Sequence, residues 1–206
     1  RGVGKQVNAS VAMIEAVAAR LGGLINEVVF VGGATTALLV TDSAVTDIRP
    51  TYDVDLIVEV GTYARYTELE ERMRSNGFIE VIESGAPICR WRAESVLVDL
   101  MPTLPNILGF SNRWYRSAVE QCIHYELPSR TVIQLVRPVH FLATKIEAFL
   151  GRGEGDFLLS HDIEDIITVI DGRPSLTSEL HESDSDVRQY VQQQLASFLT
   201  KPDFKN

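Results

Sequence analysis

The stretch "RPTYDVDLIVEV", residues 49–60, constrains this chain more than any other. Val54, Leu56, Ile57, Val58 and Val60 are aliphatic and mostly β-branched, so the run reads as a buried strand. Asp53 and Asp55 stand at its start. Side chains two apart on a strand point to the same face. Two carboxylates held side by side repel each other unless something positive sits between them. Any fold that accepts this strand has to bring a cation to that face.

Helix-like and strand-like runs surround it. Residues 7–22 carry apolar positions at helical spacing and stop at Gly22-Gly23. "EVVFVGG" is a short apolar strand ending in two glycines, and "ATTALLV" a short helix after it. "TYARYTELEERMRSNG" is a charged amphipathic helix that ends at Gly77. "FIEVI", "PICRWRA" and "SVLVDLMP" read as strands with turns between them. "PNILGFSN" reads as a loop, followed by a short helix from Arg113 and two further strands in "QCIHYEL" and "TVIQLV". At Pro138 the pattern becomes helical, with proline in the first turn of "PVHFLATKIEAFLGR". Ser160 is placed to cap a helix with Ile163, Ile166, Ile167 and Ile170 on one face. "DSDVRQYVQQQLASFLT" is a final helix, and "GRGEGD" a flexible turn rather than a linker. The expectation is an α/β core with a mixed sheet over residues 1–137 and a helical part, 138–206, packed on it.

Composition narrows the function. The chain has 206 residues, 45% of them hydrophobic and 23% charged, the make-up of an ordinary globular domain. Neither a ~20-residue apolar run nor a signal-peptide core is visible. Because it opens on Arg1 rather than Met, the chain is expected to be trimmed or partial. Cys89 and Cys122 lack metal-site spacing and are expected to be reduced thiols in a cytoplasmic protein. A net charge of −9 argues against nonspecific nucleic-acid binding. Residues 72–152 nevertheless hold ten Lys and Arg against seven Asp and Glu, so +3, leaving −12 on the rest. The middle of the chain can face an anion, or simply present a solvated mixed surface.

Three pieces carry chemistry. Gly32-Gly33 lies between a strand and a helix, where glycine lets the backbone approach a phosphate and the helix N-terminus offers free N–H groups, although a tight turn has the same signature. Thr35 and Thr36 add hydroxyl donors or cap that helix. The Asp53/Asp55 pair suits Mg²⁺, a hard cation that keeps some waters and joins substrate phosphates. Asp99 is a single acid inside the apolar strand "SVLVDLMP", costly if unpaired. It either completes a three-carboxylate cluster or pairs with Arg90 or Arg92.

The order of these pieces resembles the nucleotidyltransferase superfamily related to DNA polymerase beta. "FVGGATTALL" with "RPTYDVDLIV" is similar to the AbiEii-type nucleotidyltransferases, known as toxins of toxin–antitoxin and abortive-infection systems, and so are "LATKIEAFLGR" and "HDIEDIITVI" further on. The Gly-Gly of the first motif also resembles the aminoglycoside nucleotidyltransferases. The resemblance implies a nucleotidyltransferase-like α/β fold with a mixed sheet flanked by helices. It implies NMP transfer from an NTP to an acceptor hydroxyl, with release of pyrophosphate, by an enzyme using Mg²⁺, two ions in all. Asp53, Asp55 and Asp99 would be metal ligands, with Asp99 also helping to deprotonate the acceptor. Gly32, Gly33, Thr35 and Arg49 would bind the nucleotide, Lys145 would neutralise its phosphates, and Asp162 would position Lys145 or the nucleotide, with Asp165 the next candidate on that helix. The implied partners are an NTP, a tRNA acceptor and a cognate antitoxin, with no membrane. "SNRWYRSAVEQC" combines Arg113, Trp114, Tyr115 and Arg116 for stacking on RNA, or is a buried Trp with surface arginines. An aminoglycoside-like small molecule is the alternative acceptor, and a non-catalytic binding module the third reading.

Overall fold

The computed structural model describes residues 8–45, 47–152 and 156–205. Residues 1–7, where the first helix was expected to begin, and 153–155 of the "GRGEGD" turn lie outside them. The strands are β1 (Val28–Val31), β2 (Asp53–Val58), β3 (Ile79–Glu80), β4 (Arg90–Ala93), β5 (Val96–Pro102), β6 (Ile123–Glu126) and β7 (Val132–Leu135). Among the described residues they form one mixed sheet in the order β3-β4-β5-β2-β1-β7-β6. β2 runs parallel to β5 and antiparallel to β1, and β1 is parallel to β7. All four residues of β1 are buried, as a strand covered on both faces requires.

α1 (Ala9–Leu21) packs across β2 and β5 through Ile14, Val17, Ala18 and Leu21, spaced to share one stripe. Asn8 caps it, its Oδ1 accepting from the Ser10 amide at 2.9 Å. The helical run Ala9–Asn26 reaches the length and apolarity of a short membrane span, which had not been expected. Ile14, Val17, Leu21 and Leu24 of this run are fully buried in the protein core, and 33% of the run is buried in all. α2 (Thr36–Leu39) follows the Gly-Gly turn, and α3 (Tyr63–Ser75), capped by Thr62, buries Tyr66, Leu69 and Met73. The Tyr66 hydroxyl donates to the Leu100 carbonyl at 2.8 Å, tying α3 to β5.

Short helices α4 (Pro105–Leu108) and α5 (Tyr115–Glu120) precede β6. The C-terminal part comprises α6 (Pro138–Gly151), α7 (His161–Gly172), α8 (Leu176–Glu182), α9 (Ser185–Leu199) and α10 (Pro202–Lys205). A continuous hydrophobic cluster joins α1 and the sheet to Phe141, Phe149, Val169, Val191 and Phe198 of these helices.

Neither α4, inside the expected loop, nor α8 is predicted from the sequence, because one or two turns are too short to show a period. "FIEVI" yields only two paired residues, and Ile82 is 89% exposed. α7 differs most usefully. Ser160 caps it as expected, accepting from the Ile163 amide at 3.3 Å. Ile167 and Ile170, however, are 50% and 43% exposed, and the buried stripe runs Asp162, Ile163, Asp165, Ile166, Val169. The helix is turned so that two carboxylates face inward, which is tenable only because cations meet them there.

Candidate active site

β2 and β5 put the acids together. Their parallel register sets Asp55 opposite Asp99, with Asp53 two residues earlier on the same face. On the other side of β5, antiparallel register sets Arg90 of β4 opposite Asp99. The Arg90 guanidinium grips Asp99 with a fork, Nε to Oδ1 at 2.8 Å and Nη2 to Oδ2 at 2.7 Å. Nη2 also donates to Asp53 Oδ2 at 3.0 Å. Arg90 is therefore the cation that meets Asp53 and Asp99 on this face, and it makes no bond to Asp55. Arg92 pairs with Glu83 instead. The Asp99 hydrogen bond, with the charges of Asp99 and Asp53 added, holds the Arg90 pKa above even its usual high value against the opposing pull of burial.

Asp55 is treated differently. It is half-buried, and what acts on it is burial and charge, with no hydrogen bond. Burial first, and then the Asp53 charge, push its pKa up to about 7, while Lys145 pulls the other way. Its carboxylate lies against Gly32: a Cβ there would come within 1.8 Å of Oδ2. Gly32 also has φ +73°, so both space and conformation call for glycine. A Cβ at Gly33 would meet Arg49 Nη2 at 2.9 Å and Asp165 Oδ2 at 3.2 Å. Both glycines line the cleft, and both make room for side chains of this chain.

Thr35 takes another place than expected. It is fully buried, its hydroxyl donates to the Gly32 carbonyl at 2.7 Å, and it closes the turn rather than lining the cleft. A network of ions forms the opposite wall. Lys145 Nζ of α6 lies 2.6 Å from Asp165 Oδ2 and 3.1 Å from Asp162 Oδ1. Arg49 Nη2 reaches Asp165 Oδ2 at 3.1 Å, and Arg152 Nη1 reaches Asp162 Oδ2 at 2.7 Å. Burial alone would lower the Lys145 pKa, but Asp165 and Asp162 outweigh it and hold it above the ordinary value. Asp165 is thus the hub of this wall. The Thr51 hydroxyl steadies Asp53 from the loop before β2, at 3.2 Å.

Between the walls lies a cleft of about 510 Å³. Four cations (Arg49, Arg90, Lys145, Arg152) and four carboxylates (Asp53, Asp55, Asp99, Asp162) line it, so an anion and a cation can each find partners there. Tyr52, 80% exposed, and Phe110, 40% exposed, line it too. Tyr52, Phe110 and Arg152 were not singled out in the sequence, where single aromatics and an arginine in loops or at a helix end carry no pattern. The Arg113–Arg116 segment is not organised as an open stacking surface. Trp114 is buried, Arg113 stacks over the Trp114 and Tyr190 rings at 5.0 and 4.9 Å, and Arg116 pairs with Glu120 and Glu59.

Among the described residues, no three Asp, Glu, His or Cys side chains converge as a ready metal cage. Arg90 takes up Asp53 and both oxygens of Asp99. In donor type the acids do fit Mg²⁺: they are hard oxygens on one face, and Asp55, bordering the cleft, has no cation bonded to it.

The mixed sheet, with acids on two adjacent parallel strands beside a Gly-Gly turn and helices completing the cleft, is a nucleotidyltransferase-like fold. Two solved structures share it along nearly their whole length. One is the solution structure of the antibiotic-resistance factor ANT(2'')-Ia, with a TM-score of 0.55, 16% identity, and coverage of 92% of this chain and 91% of that one. The other is a crystal structure of ANT(2'')-Ia in complex with adenylyl-2''-tobramycin, with a TM-score of 0.51, 16% identity, and coverage of 91% and 99%. At that identity the likeness is one of fold. No family model matches the chain, and no curated protein matches it by sequence.

Proposed function

We propose that this protein is a nucleotidyltransferase that moves an NMP from an NTP to an acceptor hydroxyl and releases pyrophosphate. The observation that carries the proposal is the register of Asp55 against Asp99, beside the Gly32-Gly33 turn, in a cleft that also holds Arg49, Lys145 and Arg152. The fold shared with ANT(2'')-Ia supports it. In the reaction, the acceptor oxygen bonds to the α-phosphorus and the bond from that phosphorus to the α–β bridging oxygen breaks. Pyrophosphate leaves with the electron pair, and the hydroxyl proton passes to a carboxylate of the cluster, the role given to Asp99. Asp53, Asp55 and Asp99 would hold Mg²⁺, which would supply Lewis-acid stabilisation of charge on the phosphate oxygens. Lys145, Arg49 and Arg152 meet the remaining negative charge, with Asp162 and Asp165 holding Lys145 in position.

The acceptor we favour is a small polycation of the aminoglycoside type. The net charge of −9 attracts such a molecule and repels RNA. The arginines considered for RNA are engaged within the chain, and ANT(2'')-Ia has been seen with adenylyl-2''-tobramycin. A tRNA acceptor, an antitoxin and membership of the AbiEii branch rest on the sequence resemblance alone. A cytoplasmic setting, where NTP and Mg²⁺ are at hand, agrees with the free thiols Cys89 and Cys122. Pyrophosphate release, followed with each NTP and Mg²⁺ against an aminoglycoside panel and total tRNA, tests the reading. Release dependent on an aminoglycoside supports it, release dependent on tRNA replaces the acceptor, and no release with any combination refutes it.

A further inference from the structure

The acid cluster already holds a cation made of protein. Arg90 meets Asp99 with two hydrogen bonds of 2.8 and 2.7 Å and Asp53 with one of 3.0 Å. Its side chain is 21% exposed and Asp99's 11%, so this contact is largely shielded from water and competes strongly with any other cation. The two attachments are unequal. The Asp99 fork satisfies both carboxylate oxygens in the planar geometry that suits a guanidinium, whereas Asp53 is held by one bond and is 32% exposed. Asp53 can also keep its Thr51 hydrogen bond, at 3.2 Å, when the arginine leaves. β4 lies near the margin of the sheet, followed only by the two-residue β3.

We propose that Arg90 is a placeholder cation, which balances Asp53 and Asp99 in the metal-free protein and is displaced from them when Mg²⁺ arrives with the nucleotide. Displaced, the guanidinium stays in the cleft it lines, where the incoming triphosphate offers it phosphate oxygens in exchange. The protein thereby avoids bare, mutually repelling carboxylates while empty, and it resists free metal more than metal accompanied by nucleotide. This inference rests on the nucleotidyltransferase reading of the site.

Mn²⁺ binding, measured by water-proton relaxation on wild type, Arg90→Gln, Arg90→Lys and Asp53→Asn without nucleotide, tests it. Arg90→Gln is expected to bind Mn²⁺ at least tenfold more tightly than wild type, Arg90→Lys to fall between them, and Asp53→Asn to bind less tightly. On wild type, the Arg90 Nε–H signal in NMR is expected to move when Mg²⁺ and a non-hydrolysable NTP are added together. A purely structural arginine would lower the melting temperature when replaced but would not tighten metal binding. If wild type binds Mn²⁺ and Arg90→Gln binds it no better, the inference fails while the metal-site reading stands. Should Arg90→Gln not fold, an unmoved Arg90 signal in wild type overturns the inference by itself. If no protein in the set binds Mn²⁺, with or without nucleotide, both fall together.

Discussion

Replacing Asp55 with Asn should stabilise the metal-free protein, and only above the pH at which the acid ionises. The carboxyl's pKa is raised from 3.8 to about 7 by burial and by the Asp53 charge. Below about pH 4 it is protonated in the folded and unfolded chains alike, and contributes nothing to the balance. Between about pH 4 and 7 the unfolded chain releases the proton while the folded one keeps it, so stability falls as pH rises. Above 7 the full penalty remains. At about 1.4 kcal/mol per pH unit, the gap between 3.8 and about 7 corresponds to something on the order of 4 kcal/mol. Asp55 is only half-buried, and water entering the cleft screens it, which reduces this to about 2 kcal/mol. For a chain of this size each kcal/mol moves the melting temperature by roughly 2–4 °C. Asp55→Asn should therefore melt about 4–8 °C above wild type in chelator near pH 8, with the gain gone near pH 4. Thermal denaturation followed by circular dichroism at both pH values measures it. A variant less stable than wild type near pH 8, or a gain of equal size at both pH values, would refute the reasoning.

Lys145→Ala leaves two buried carboxylates without their ammonium, so it should cost about 3 kcal/mol of stability in chemical denaturation. It should also weaken NTP binding at least tenfold in calorimetry, about 1.4 kcal/mol, with Lys145→Arg recovering part of both. Gly32→Ala sets a Cβ 1.8 Å from Asp55 Oδ2 at φ +73°, and should lower stability by roughly 2–3 kcal/mol while displacing Asp55 and abolishing transfer. Arg113→Ala with Arg116→Ala should leave the salt dependence of any RNA binding unchanged. Its measurable effect should be a loss of about 1 kcal/mol of stability from the Trp114–Tyr190 stack.

Much of the site was legible because it sits on strands. The period of two along "DVDLIV" and "SVLVDLMP" fixes which residues share a face, so the common face of Asp53 and Asp55 could be read directly. What the period cannot carry is partnership across strands. Whether Asp99 would meet Asp55, Arg90 or both depended on the order β4-β5-β2, and the structure brings all of them together. The error on α7 has a similar source. Four isoleucines set the expected face, but Lys145, Arg49 and Arg152 offered Asp162 and Asp165 enough charge to turn the acids inward and leave Ile167 and Ile170 partly in water. For Thr35 the sequence leaves two places open, because a threonine after Gly-Gly serves a ligand or its own turn, and in the structure its hydroxyl donates to the Gly32 carbonyl.

The most direct test of the account is mass spectrometry of an aminoglycoside panel incubated with the protein, each NTP in turn and Mg²⁺. Wild type is predicted to add the mass of one NMP to at least one aminoglycoside, with pyrophosphate released in equal amount. Asp53→Asn and Asp55→Asn, still folded, are predicted to add none. Transfer that persists in either variant would contradict the assignment of the acids, and a panel left unmodified while total tRNA gains a nucleotide would contradict the acceptor.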